Sequence, residues 1–267
     1  MDQEKKYTWN ADDYSKYSTA QQKWARELIS NLDLNGSESI LDIGCGDGKV
    51  TAEIATILTS GKVIGVDNSA NMIELALQSF PGQNYPNLSF EISDASSLPF
   101  SEIFDVIFSN AALHWIKDHK PVLNSIYKAL KSGGKILLQM GGKGNAKDII
   151  DILDILIPEK KWNKYFIDFE FPYGFHDSQK YEIWLREVGF SDVRCELIPK
   201  IMSYDNRDGL AGWIRTTWLP YTDRLPFELR EEFINCTVDK YIEKNGLKSN
   251  GSVNVDMIRL EAEAIKN

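Results

Sequence analysis

Three glycines at alternate positions, Gly44, Gly46 and Gly48, close the stretch SESILDIGCGDG and open a helical pattern. Glycines so placed let a backbone turn sharply and approach a ligand with no Cβ in between. The dinucleotide fingerprint G-x-G-x-x-G seats a pyrophosphate on a helix N-terminus. This turn instead reads G-x-G-x-G, with Asp42 before it, Cys45 within it and Asp47 near its end. Two carboxylates repel a pyrophosphate and suit a ligand that carries positive charge.

Further candidates follow other apolar runs. Asp67, with Asn68 beside it, lies about 20 residues past the glycines, where a carboxylate accepts ribose hydroxyls. A helix N-cap ahead of Ser69 is the alternative role. Asp94 and Ala95 occupy ISDASSLPF, where a short acceptor takes an adenine amino group or an ordinary polar turn forms. Met72 packs on the base or fills the core. Asn110 and Ala111 end a fourth run, above the glycine turn. A nucleoside bearing a sulfonium and an ammonium but no phosphate, S-adenosylmethionine, meets these requirements together.

Such residues converge only if strands bring their carboxyl ends to one edge. Ile40 to Ile43 reads as a buried parallel strand, and Val50, Ile54, Ala55 and Leu58 recur at helical spacing beyond it. Lys62 to Val66, Leu88 to Ile92, Phe104 to Phe108 and Lys135 to Met140 are further strands. Helices at Ala70 to Phe80 and His119 to Leu130 alternate with them, the second stopped by Lys131-Ser132-Gly133-Gly134. That alternation predicts an α/β fold, a Rossmann-like doubly wound parallel sheet. A helix at Ser178 to Val188, a strand at Val193 to Ile198 and a last strand near Val255 to Ile265 bring the sheet to seven strands. A single domain, 1–267, accommodates an insertion at 141–170 and a helical lid at about 201–252, before the last strand. The lid is rich in aromatics, among them Trp213, Trp218 and Tyr221. They either exclude water from the strand ends or form a satellite core. Arg215, on the same helix as Trp213, is the lid cation able to grip an anion bidentately; a solvated arginine is the plain alternative.

The chain of 267 residues is ordinary in composition, and its net charge of −9 without a polybasic run argues against a nucleic-acid partner. Cys45, Cys195 and Cys236 are odd in number and lack metal-ligand spacing, so reduced thiols in a cytoplasmic protein, and no metal, are expected. The polar start MDQEKK and the lack of an apolar run of 18 residues give no signal peptide and no membrane span. Oligomeric state is not readable here.

The motifs ILDIGCGDG, VIGVD, SDASSLPF, FDVIFSNAALHW and ALKSGGKILL, in this order, resemble the class I S-adenosylmethionine-dependent methyltransferases. WNADDYSKYSTAQQKWARELI with NAALHWIKDH is similar to trans-aconitate methyltransferases. LHWIKD, PYGFHD and VGFSDV are similar to juvenile hormone acid methyltransferases. Both groups methylate a small-molecule carboxylate to a methyl ester, and that is the activity the resemblance implies. It also implies donors toward the acceptor carboxylate at Gln21 and Trp115, with His114 beside them. Trp9 and Tyr14, in the N-terminal segment, close over methionine and acceptor or seat their helix on the sheet. Because DASSLPF also resembles quinone and amine methyltransferases, a carbon or nitrogen acceptor stays open. A binding protein without catalysis is opposed by Asp42, Gly44, Gly46, Asp67 and Asn110 all being present.

Overall fold

The computed structural model describes residues 19–267, with side chains from Trp24 onward. Trp9 and Tyr14 lie outside the described residues, as does the side chain of Gln21, a residue of the first helix. In chain order the elements are α1 (Thr19–Ser30), β1 (Ser39–Ile43), α2 (Lys49–Ile57), β2 (Lys62–Asp67), α3 (Ala70–Ser79) and β3 (Leu88–Ile92). Then come β4 (Phe104–Asn110), α4 (His119–Ala129), β5 (Leu130–Gly141), α5 (Lys147–Leu156), α6 (Ser178–Val188) and β6 (Phe190–Tyr204). The last are α7 (Arg207–Thr217), α8 (Leu219–Thr222), α9 (Phe227–Asn245) and β7 (Val253–Lys266).

The seven strands form one sheet in the order β3-β2-β1-β4-β5-β7-β6. Strands β1 to β5 pair in parallel. β7 is antiparallel to β5, with Leu138 opposite Ala262, so the sheet is mixed where strand and helix alternation predicts a parallel one. An alternating apolar pattern states which face a residue takes but not the direction of its strand. Strand order reverses between β1 and β4, the switch point beyond whose carboxyl ends ligands of open α/β sheets bind.

Two compact units make up the described chain. One comprises Gln21–Lys143, Tyr173–Ile198 and Arg259–Asn267; the other takes residues 19–20, Gly144–Pro172 and Pro199–Ile258. Residues 141–170 and 201–252, the two expected insertions, fall largely in the second. In the first unit successive strand residues feed opposite faces. Leu41, Ile107, Ile136 and Leu138 pack with Val122, Leu123, Ile126, Tyr181 and Leu185 of α4 and α6. Ile40, Val106, Phe108 and Leu137 pack with Leu28, Ala52, Ile54 and Ile73 of α1 to α3 and with Leu32 just beyond α1. Period-two alternation of apolar residues builds both layers at once, as a doubly covered sheet requires.

The second unit has an aromatic core. Phe166 stacks on Phe233 at 5.6 Å, Phe169 meets Tyr221 at 4.6 Å, and Trp213 and Trp218 cross edge-on at 5.7 Å. Asn206 caps α7 by accepting from the Gly209 N–H. Ion pairs tie its helices together at the surface, Lys244 to Asp148 at 2.8 Å and Arg207 to Asp239 at 2.7 Å. Among the described residues no helix is long and apolar enough to cross a membrane.

Candidate active site

The glycine turn is fastened to β2 by the Gly44 and Cys45 N–H groups, which both donate to the Val66 carbonyl, at 2.7 and 3.0 Å. Its three glycines have positive φ but different surroundings. A Cβ on Gly44 would fall 2.1 Å from the Ala112 Cβ, and one on Gly48 would fall 2.6 Å from the Phe90 ring. Among the described residues, a Cβ on Gly46 would meet nothing within 4 Å. Two of the glycines are thus demanded by packing, and Gly46 alone turns backbone toward open space.

Asp67, at the end of β2, accepts from the Gly46 N–H at 3.1 Å and from the Ser69 N–H at 2.8 Å. Its carboxylate therefore fixes both the turn and the entry to α3, while Ser69 itself caps that helix. Burial raises the Asp67 pKa, opposed by the N–H groups of Ser69, Gly46 and Asn68. A carboxylate has about four acceptor sites. The N–H groups of Ser69, on Oδ1, of Gly46, on Oδ2, and of Asn68 draw on three of these.

The other acidic groups of the turn are committed inward or to a neighbour. Asp42 is buried and accepts from the Thr51 hydroxyl at 2.7 Å. Burial, then the charge of Asp67, brings its pKa up to about 7 against the Thr51 bond. Asp47 pairs with the Lys49 ammonium at 2.7 Å. Asp42 thus meets the Thr51 hydroxyl and Asp47 the Lys49 ammonium, so each carboxylate of the turn already has one partner within the protein. Cys45 is buried, and burial holds its thiol pKa well above the usual range.

Around the strand ends, Met72 and Ala95 are buried and Asn68 is exposed. Asp94 accepts from the N–H and the hydroxyl of Ser96, so one of its oxygens shapes the turn after β3. Asn110 ends β4. Ala111, next to it, sits at φ +57, with its N–H donated to the Gln139 carbonyl at 2.8 Å. A left-handed alanine is strained, and such residues concentrate at functional sites.

A 3-10 turn, Leu113–Trp115, then presents His114 and Trp115. It is pinned from behind by His119, whose Nε2 lies 2.9 Å from the Leu113 carbonyl and 3.0 Å from that of Ile116, while Nδ1 faces the Tyr181 hydroxyl at 3.1 Å. Nε2 is thereby the donor and Nδ1 the acceptor; burial, with the charge of His176, brings the His119 pKa down to about 4. Tyr173, Gly174 and Phe175 lie along the turn. The Gly174 N–H donates to the His114 carbonyl, and a Cβ on Gly174 would fall 2.2 Å from the Ile116 carbonyl oxygen. Trp115 meets Tyr173 edge-on at 5.1 Å, and the His114 ring lies 5.9 Å from Phe175. The buried Nδ1 of His114 has no hydrogen-bond partner among the described residues. Burial, then the charges of Arg259 and His119, keeps its pKa well below the usual value.

Arg259 and Thr51 escape the sequence reading. Arg259, on β7, is 5% exposed and lies over the Trp24 ring at 5.6 Å. The signal for it was a lone cation in the alternating strand VDMIRLEAEAI. In the other unit, Trp213, Trp218 and Tyr221 are core residues, and the Thr216 and Thr217 hydroxyls donate to carbonyls of their own helix. Arg215 closes its fork on Glu231 at 2.6 and 2.7 Å. Among the described residues no group of three or more His, Cys, Asp or Glu could hold a metal ion.

Residues 34–167 match a methyltransferase domain family. An uncharacterized methyltransferase of Schizosaccharomyces pombe is 32% identical over 76% of this chain and 78% of its own. A trans-aconitate 2-methyltransferase of Variovorax paradoxus is 28% identical over 85% of this chain and 86% of its own. A solved phosphoethanolamine N-methyltransferase 2 of Haemonchus contortus, in complex with phosphomonomethylethanolamine and S-adenosylhomocysteine, superposes with a TM-score of 0.64 at 18% identity. It covers 96% of this chain, which spans 57% of that one, and it shares the fold.

Proposed function

Because this chain belongs to the methyltransferase domain family, whose cofactor is S-adenosylmethionine, we propose that it methylates a carboxylate of a small-molecule acid to a methyl ester. The cofactor fits the residues present. Gly46 opens backbone to a ligand, and Asp67, at the end of β2, keeps acceptor capacity for a ribose hydroxyl. Asp94, Ala95 and Met72 would border the base, and Asn110 and Ala111 the methionine portion. When bound, S-adenosylmethionine supplies a methyl group on a sulfonium sulfur, which departs as a neutral thioether.

The observation that carries the carboxylate reading is the character of the His114 surroundings. The imidazole is held neutral by burial and by the nearby Arg259 charge, among Trp115, Tyr173 and Phe175. A positive, aromatic environment attracts an anionic acceptor and repels a protonated amine. A carboxylic acid with a pKa of about 4 is already ionised at neutral pH, so no residue has to remove a proton. The neutral imidazole and the Trp115 indole act as donors that orient the acceptor, and the surrounding rings limit water. Loss of charge on both reactants favours such a dry setting. The Variovorax paradoxus relative, a trans-aconitate 2-methyltransferase, supports the same class.

The test is transfer from methyl-labelled cofactor to a panel of acids and amines. The expected product is an ester that hydrolyses in mild base, formed at a rate flat above about pH 6. A base-stable labelled amine or ring carbon would move the protein to the other acceptor classes. Trp115→Phe should lower turnover about tenfold with unchanged cofactor affinity.

A further inference from the structure

A backbone carbonyl that leaves water needs a donor, and the turn that carries His114 and Trp115 draws its donors from two sources. The Trp115 and Ile116 N–H groups bend back to the Ala112 and Leu113 carbonyls at 3.0 and 2.9 Å, the regular bonds of a 3-10 turn. Other elements bring the rest. The Gly174 N–H serves the His114 carbonyl, and the one imidazole of His119 serves Leu113 and Ile116 together. The His176 ring, edge-on to His119 at 4.4 Å, is hydrogen-bonded to the Lys117 backbone. His119 opens α4, directly after its Asp118 cap, so its ring reaches back over the turn that precedes the helix. Tyr181, in α6, completes the chain of bonds at Nδ1. The His119 and Tyr181 side chains are both fully buried, and Leu123, Ile126 and Leu185 of the two helices pack beside Tyr181. All of these residues belong to the sheet unit.

We propose that Tyr181 and His119 are positioning residues for methyl transfer: the Tyr181 hydroxyl fixes the His119 tautomer, and that tautomer holds the turn on which His114 and Trp115 stand. The inference goes beyond the carboxyl-methylation reading and rests on it only for the roles of His114 and Trp115. A neutral imidazole carries one N–H. On Nε2 that hydrogen serves both carbonyls; on Nδ1 it would leave a lone pair facing two carbonyl oxygens and push the turn away. The tyrosine hydroxyl donates to Nδ1 only while the hydrogen is on Nε2, so the phenol selects the clamping form. A buried polar pair satisfied at every nitrogen makes its surroundings rigid. An aliphatic side chain would fill the same space without taking ring nitrogens out of water, so stability alone gives no reason for an imidazole there. Methyl transfer does give one. Its reacting atoms must be held in line, and a displacement of about 1 Å costs about a hundredfold in rate. Because both donors stand on a single 3-10 turn, any shift of its backbone reaches both at once.

The experiment compares wild type with Tyr181→Phe, His119→Gln and His119→Leu. Glutamine can set an amide N–H near the place of the imidazole Nε2, whereas leucine fills the space with no donor. Ring-nitrogen NMR of isotope-labelled histidine reads the tautomer near neutral pH, the His119 signals being those lost in His119→Gln. Turnover is read as label passed from methyl-labelled S-adenosylmethionine to the member of the acid and amine panel that wild type labels fastest. Calorimetry with S-adenosylhomocysteine reads the cofactor site. Wild-type His119 should carry its hydrogen on Nε2 alone. Tyr181→Phe should show mixed tautomers and a kcat about tenfold lower, and His119→Leu a kcat about 100-fold lower. His119→Gln should recover kcat to within about threefold of wild type, while acceptor KM and S-adenosylhomocysteine Kd move less than about threefold in every variant. Should the leucine variant fail to fold, Tyr181→Phe decides, since it removes one oxygen and keeps the ring. Wild-type His119 with its hydrogen on Nδ1, equal kcat in the glutamine and leucine variants, mixed tautomers with unchanged kcat, or losses that merely follow melting temperature would each overturn the proposal. If the labelled product is an amine, carboxyl methylation falls, while the same order of kcat values upholds the positioning role.

Discussion

The two units bury different kinds of side chain. At the strand ends of the sheet unit the buried groups are chemical: Asp42, the His114 Nδ1 and Arg259. In the helical unit the buried groups are rings packed on rings, and the cations pair with carboxylates at the surface. Residue type alone would assign the tryptophans and Arg215 of the helical unit to a site. Their partners assign them to the upkeep of that unit. A polar group withdrawn from water costs free energy unless something compensates, so polar burial carries more information about function than aromatic burial.

That contrast can be broken most forcefully within the glycine turn. Gly44→Ala should cost about 4 kcal/mol, from the collision with Ala112 and the positive φ together. Gly46→Ala should cost only about 1 kcal/mol, yet weaken S-adenosylhomocysteine binding more than Gly44→Ala does per unit of stability lost. Urea denaturation beside calorimetry separates them, and equal effects on both readouts would erase the distinction between packing and ligand glycines.

Next in size is Asp42. Its carboxyl titrates at about 7 in the folded chain against 3.8 without the fold, so the native state holds the extra proton between those values. The unfolded chain binds fewer protons there, and stability falls as pH rises from about 4 to 7. Asp42→Asn should flatten that slope and gain a few kcal/mol relative to wild type at pH 8, read as melting temperature against pH. A steeper slope in the variant would mean that the charged form is the one the fold favours.

Asp67→Ala should weaken cofactor binding by about 1–3 kcal/mol; unchanged affinity in a folded variant would confine Asp67 to its backbone bonds with Gly46 and Ser69. The smallest effect belongs to the helical unit. Arg215→Ala removes a pair whose members are 37% and 57% exposed and should cost under about 0.5 kcal/mol, with no change in KM for any acid. A selective rise for diacids would place Arg215 at the acceptor.

Local signals carried the strands well. Ile40 to Ile43 and Phe104 to Phe108 are short apolar runs bounded by turn formers, and their carboxyl ends adjoin at the switch point. The turn at Gly44 to Gly48 was legible for the same reason. The separate duties of its glycines were not, since they depend on Ala112 and Phe90, which only the fold brings near. The Lys131 to Gly134 segment reads as a helix stop and nonetheless lies inside β5, where the pairing with β4 is irregular between Leu130 and Lys135. Arg259 was illegible because alternation gives the face of a charged strand residue but not what covers that face. Arg215 misled for the opposite reason: its partner, Glu231, lies on another helix.

The described chain passes from one unit to the other at 20/21, 143/144, 172/173, 198/199 and 258/259, and β7 is the last of these elements to be made. β7 also lies between β5 and β6 in the sheet. During synthesis, then, β5 and β6 wait with open edges until the whole helical unit has emerged, an arrangement that exposes them to wrong pairing. The helical unit cannot be trimmed away as one piece, because both of its long segments are interior to the chain. Assembly of the sheet is thus a late event, and a chain stalled short of β7 would leave β5 and β6 unjoined.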